Sequence, residues 1–139
     1  MDVKMKLSRG KEALDYLATN EKGYSIQINA DGKGVSPMQS LLVAFASCSA
    51  VDVELLLAKM RQNLAHLEVN IIGTRVENAT PRPYQSIHLE FVMHGQIKEK
   101  SAQKAVSMAV EKYCSVGQSL DPSIKVTHSY LIKSGHIPE

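Results

Sequence analysis

The chain has 139 residues, 44% apolar and 22% charged, which suits one globular domain around one core. A net charge of +2, with no Lys/Arg run and no aromatic-studded basic stripe, gives no electrostatic case for binding nucleic acid. Two cysteines are too few for a disulfide scaffold, and with aromatics at 5% and no Trp the aliphatics and six Met must fill the core.

The first ten residues alternate charge and apolarity and contain no apolar h-region, so no signal peptide is expected. Val3, Met5 and Leu7 alternate with Lys4 and Lys6 and predict a strand. Ala13 to Ala18 reads as a second strand, and Asn20-Glu21-Lys22-Gly23 as a turn. Tyr24, Ile26 and Ile28 alternate with polar residues in a third strand, so the three are expected to form a meander. Ser36-Pro37 predicts a helix start, Ser as N-cap and Pro at the first helical position, and the helix is expected to run to about Asn63. From Leu41 to Leu57 it is apolar on almost every side, the pattern of a buried helix. Its apolar run, Leu41 to Val51, is broken by Ser47, Cys48 and Ser49 and followed by Asp52 and Glu54, shorter than the ~20 apolar residues of a membrane span.

Leu67 to Val76 and Tyr84 to His94 predict a hairpin across a loop with two prolines. Lys98 to Leu120 predicts a second helix, with Ala102, Ala105, Val106, Ala109, Tyr113, Val116 and Leu120 at three- and four-residue steps. Asp121-Pro122 ends it, and Ile124, Val126, His128, Tyr130 and Ile132 alternate in a last strand. The expectation is one α+β domain over residues 1–139, in the order βββ-α-ββ-α-β. A single sheet leaves the far side of the apolar helix wet, so a homodimer with a shared core is expected. A cytoplasmic location is the default, and no membrane or nucleic-acid partner is expected.

Cys48 and Cys114 sit in the apolar segments of the two predicted helices. Two readings stand: small core residues, or a redox pair that the fold brings together. A redox pair needs one stabilised thiolate to attack a peroxide and a second thiol to condense with the sulfenic acid. Neither cysteine is expected at a helix N-terminus, so a cation must stabilise the thiolate: Arg9, Arg61 or Arg75. Asp52 lies four residues after Cys48 and shares its face, where it is expected to pair with a cation or reach solvent. Glu111, three residues before Cys114, reads first as an exposed helix carboxylate. His66, His88, His94, His128 and His136 have no metal-ligand spacing. His88 is expected to face solvent and His128 to be a satisfied core histidine. Neither a metal nor another cofactor is expected.

Ser36-Pro37-Met38-Gln39-Ser40-Leu41-Leu42, with Ala46-Ser47-Cys48-Ser49-Ala50-Val51-Asp52-Val53, resembles the first Cys helix of the OsmC/Ohr family of osmotically inducible and organic hydroperoxide resistance proteins. Glu111-Lys112-Tyr113-Cys114-Ser115-Val116 resembles its second Cys motif, and Thr127-His128-Ser129-Tyr130 the last strand, especially in the YhfA-like branch. The resemblance implies an intertwined homodimer around the Cys-bearing helices, with two active sites at the subunit interface. It implies reduction of organic hydroperoxides, with Cys48 peroxidatic and Cys114 resolving, recycled by a dithiol such as a lipoylated protein. It also implies an activating Arg near the first strand, which matches Arg9. The family's helix-start Glu, which holds that Arg, is replaced by Met38 followed by Gln39, and Glu111 is the expected substitute. Met38, Gln39 and Phe45 are the expected substrate-pocket residues, and Leu41, Phe45 and Met60 the surroundings that favour an apolar R group. The alternative function is a non-catalytic dimeric module binding a small hydrophobic ligand at the subunit interface.

Overall fold

The computed structural model describes residues 1–134, and His136 lies outside them. Along the chain run β1 (Met5–Arg9), β2 (Asp15–Asn20), β3 (Ser25–Asn29), α1 (Pro37–Lys59), β4 (Asn63–Arg75), β5 (Tyr84–Gln96), α2 (Glu99–Met108), a π-helical turn (Ala109–Tyr113), α3 (Ser115–Ser119) and β6 (Lys125–Lys133). The fold is α+β in the expected order, but the strands form two three-stranded sheets, β1-β2-β3 and β4-β5-β6, which corrects the expectation of one sheet. The chain divides into two compact units, Met1–Leu41 and Leu42–Glu139.

The first unit is the expected antiparallel meander. β2 begins two residues later than expected because Leu14 takes φ 64 and Gly10 N–H closes a turn on the Asp15 carbonyl. Asp15 then ties the strands together by accepting from Gln27 Nε2 at 2.8 Å and Asn29 Nδ2 at 2.9 Å. Register places Met5, Leu7, Arg9, Tyr16, Ile26 and Ile28 on one face. Met5, Leu7 and Ile26 on that face are exposed.

α1 starts where the sequence predicts. The Ser36 hydroxyl accepts from Gln39 N–H at 3.1 Å, and Gln39 Oε1 accepts from Ser36 N–H at 3.0 Å, a capping box. The helix ends four residues before Asn63. Arg61 takes φ 60, Gln62 N–H bonds the Leu57 carbonyl and Arg61 N–H the Ala58 carbonyl, which is the Schellman arrangement. The helix therefore has 23 residues, long and apolar enough by length and composition alone to span a bilayer, a test that the core helix of a globular protein also passes. Phe45, Ser49, Val53 and Leu57, four residues apart, are buried in protein. Burial is one-sided, however: Val43, Val51 and Leu55 on other faces are exposed.

The second unit carries the core. β4 and β5 form the expected hairpin, β4 starting at Asn63 rather than Leu67. β5 then pairs in parallel with β6, a crossover made by α2, the π-turn and α3. Ile87, Leu89, Phe91 and Met93 alternate along β5 at 1% exposure or less, as do Ala102, Ala105, Val106 and Ala109 along the crossover helix. The second helix is not continuous from Lys98 to Leu120. Cys114 N–H bonds the Ala109 carbonyl at 2.9 Å, the wide π spacing, and Cys114 itself is extended at φ −68, ψ 109.

Candidate active site

The break at Cys114 places the sulfur. Leaving the π-turn in an extended conformation, Cys114 becomes the N-cap of α3, and its Sγ accepts the Gly117 N–H at 3.3 Å. This corrects the expectation that neither cysteine stands at a helix start. The signal was present as Cys-x-x-Gly, N-cap spacing, but the apolar steps of the preceding helix run straight through it.

Cys48 arrives from the middle of α1, one residue before the buried Ser49. The Cys48 and Cys114 sulfurs and a carboxylate oxygen of Asp52 all lie within 4.8 Å of one another. Cys114 is fully buried and Cys48 half-buried; both are free thiols. The two cysteines are neighbours, so the inert-core reading loses its premise of unrelated positions. Burial pushes the Cys114 thiol above its ordinary value. The Ser49 hydroxyl pulls the other way, as does Gly117 N–H, while Cys48 adds to the rise.

Among the described residues Asp52 neither pairs with a cation nor turns wholly to water: its Oδ2 is buried without a hydrogen-bond partner there. Arg75 is committed elsewhere, its Nε donating to the Arg82 carbonyl at 2.8 Å. Arg61 is the left-handed residue that ends α1, exposed. Arg9 is exposed on β1 of the first unit. In the same unit, Met38 is half-buried in the first turn of α1, and Gln39 is the exposed partner in the capping box.

Phe45 is 1% exposed and borders a half-open cleft of about 420 Å³, with Val110, Glu111, Gly117, Leu120 and Ile124 among its other walls. Gly117 belongs to both features, holding the Cys114 sulfur with its N–H and lining the cleft. A Cβ at Gly117 would meet the Phe45 ring at 3.1 Å, so only glycine lets α3 approach α1 this closely without displacement. Glu111 Oε1 faces His128 Nε2 at 3.4 Å. His128 is thus half-buried against a carboxylate, and His88, expected to face solvent, is half-buried against Thr127 at 2.7 Å and Ser129 at 3.0 Å. Sequence reasoning missed Gly117 and the cleft wall from Leu120 to Ile124.

Comparison with known proteins follows the same lines. The OsmC-like protein family matches residues 30–129. This chain belongs to the OsmC-like family. Protein YhfA of Escherichia coli K12 is 38% identical over 122 residues, covering 86% of this chain and 90% of that one. A Staphylococcus aureus USA300 protein described as organic hydroperoxide resistance protein-like is 25% identical over 116 residues, covering 80% of this chain and 82% of its own. The crystal structure of a hypothetical protein from Aquifex aeolicus VF5 superposes with TM-score 0.88 at 32% identity, covering 98% of this chain and 99% of that one. Both cysteines and Asp52 fall inside the matched family region.

Proposed function

We propose that this OsmC-like protein reduces organic hydroperoxides with Cys48 and Cys114. The observation that carries the reading is the approach of the two sulfurs to within 4.8 Å, close enough for a disulfide after small side-chain rotations. The Cys48 thiolate attacks the outer peroxide oxygen; the O–O bond breaks and the alkoxide leaves as the alcohol after taking a proton. Cys48 is then a sulfenic acid. Cys114 attacks its sulfur, the hydroxyl departs as water with the Cys114 proton, and a disulfide remains. A dithiol, such as that of a lipoylated protein, returns both cysteines to thiols. Cys48 takes the first role because it is the more accessible, whereas the buried Cys114 is held protonated until a sulfenic acid appears beside it.

The cleft beside Phe45 and Gly117 gives an apolar R group a place to lie, which favours organic peroxides over hydrogen peroxide. Arg9 is assigned the activating cation, supplied in a cytoplasmic homodimer in which a second copy covers the exposed apolar residues of α1 and of the first sheet. Met38 and Gln39 border the peroxide in that assembly, and Glu111 orients the cation. Reduced protein given one equivalent of cumene hydroperoxide should lose two thiols per chain. Cys48→Ser should lose all turnover and give up no thiol to the peroxide, and Cys114→Ser should turn over once and then gain two or three oxygens at Cys48 by mass. Retention of both thiols in the wild-type protein overturns the reading.

A further inference from the structure

The peroxide chemistry uses two of the three groups gathered at this point and leaves Asp52 unexplained. A carboxylate oxygen buried without a partner is costly, and a nearby cation is the direct remedy. Among the described residues Asp52 forms no ion pair. What it faces instead is a pair of sulfurs.

We propose that the reduced protein binds one zinc ion per chain through Cys48 Sγ, Cys114 Sγ and a carboxylate oxygen of Asp52. Cys48 and Asp52 are four residues apart on α1, one helical turn, so their side chains form a clamp on a single face. Cys114 closes the set from the opposite segment, held by the Gly117 N–H at the start of α3. The three donor atoms already lie within 4.8 Å of one another, and tetrahedral zinc, with ligand bonds of about 2.0–2.3 Å, asks for roughly 3.5–3.8 Å between donors. Rotation of side chains supplies that contraction. Two thiolates and one carboxylate suit zinc and exclude magnesium and calcium, which take oxygen donors. Cys48 and Asp52 are half-buried, which leaves an entry path and a fourth position for water.

Binding is a proton exchange with no change of oxidation state. Each sulfur binds as a thiolate, and any proton it carries passes to the buffer. The metal and the disulfide compete for the same sulfurs, so zinc marks the reduced state and withholds both thiols from oxidants. The inference needs only the three donors and stands apart from the peroxide reading.

The test titrates zinc into reduced protein against a chromogenic chelator, with cobalt as a spectroscopic reporter of thiolate ligation. One ion per chain should bind, with a sulfur-to-cobalt charge-transfer band. Asp52→Asn, which keeps shape and removes charge, should weaken zinc at least about tenfold while leaving the circular dichroism spectrum unchanged. Cys48→Ser should remove the charge-transfer band's intensity by about half or more, and protein oxidised to the disulfide should bind none. Zinc affinity unchanged in Asp52→Asn, or binding no tighter than in Cys48→Ser, overturns the proposal. Peroxide consumption by the metal-free protein is read separately, so failure of one assignment is distinguishable from failure of the other.

Discussion

Cys114 makes the clearest case of one residue whose chemistry is set by its surroundings. Its sulfur is 0% exposed, and burial raises its pKa from an ordinary 9.0 more than the Ser49 hydroxyl and Gly117 N–H lower it. The folded state therefore holds the thiol proton more tightly than the unfolded chain does. Stability from this group is complete below the ordinary thiol value and declines as pH climbs through the raised folded value. The urea midpoint of the reduced wild type should exceed that of Cys114→Ala by less at about pH 10 than at about pH 8. Tyr84 and Tyr130, also raised, are shared by both proteins and cancel in the difference. A constant difference across that range would show that Cys114 is not titrating as its burial requires.

At the scale of elements, what was readable and what was not divide on local signals. Ser36, Pro37 and Gln39 carry the start of α1 within four residues, and the capping box is what forms. Removing the hydroxyl in Ser36→Ala should cost about 1 kcal/mol and lower Tm by roughly 4 °C, with Ser36→Asp restoring most of it. An unchanged melting curve in the alanine variant would mean that the helix start is held by packing instead. The end of α1 was not readable, because the left-handed position is filled by Arg61 rather than by a glycine. The kink at Cys114 was hidden for a different reason. The apolar steps through Ala109 and Tyr113 to Val116 fit a continuous helix, and the π-turn that shifts them shows no composition of its own. The pairing of Cys48 with Cys114 was legible only through family resemblance, since no spacing rule brings two distant helices together. Asp52 was legible as sharing the Cys48 face, but its lack of a partner depends on what the rest of the fold fails to place beside it.

For the whole molecule, the decisive quantity is apolar surface that one chain leaves uncovered. Val43, Val51 and Leu55 on α1 are 56%, 54% and 65% exposed, on a helix whose opposite stripe is in the core. The first sheet separately exposes Met5, Leu7 and Ile26 on its apolar face. Contiguous apolar surface of this kind marks a site of association. In the proposed homodimer a second copy of the chain would cover the α1 stripe, where Val43, Ser47, Val51 and Leu55 repeat at four residues with small side chains between them. In sedimentation experiments the wild type should run as a dimer at micromolar concentration. Leu55→Glu places a charge on each copy at that seam and should shift the protein to monomer, because two buried carboxylates there would be unpaired. If the Arg9 guanidinium reaches the thiols only in the dimer, the same substitution should slow oxidation of Cys48 by hydroperoxide, although Leu55 touches neither sulfur. A Leu55→Glu protein that remains dimeric and reacts at the wild-type rate would place the interface elsewhere and detach Arg9 from the reaction.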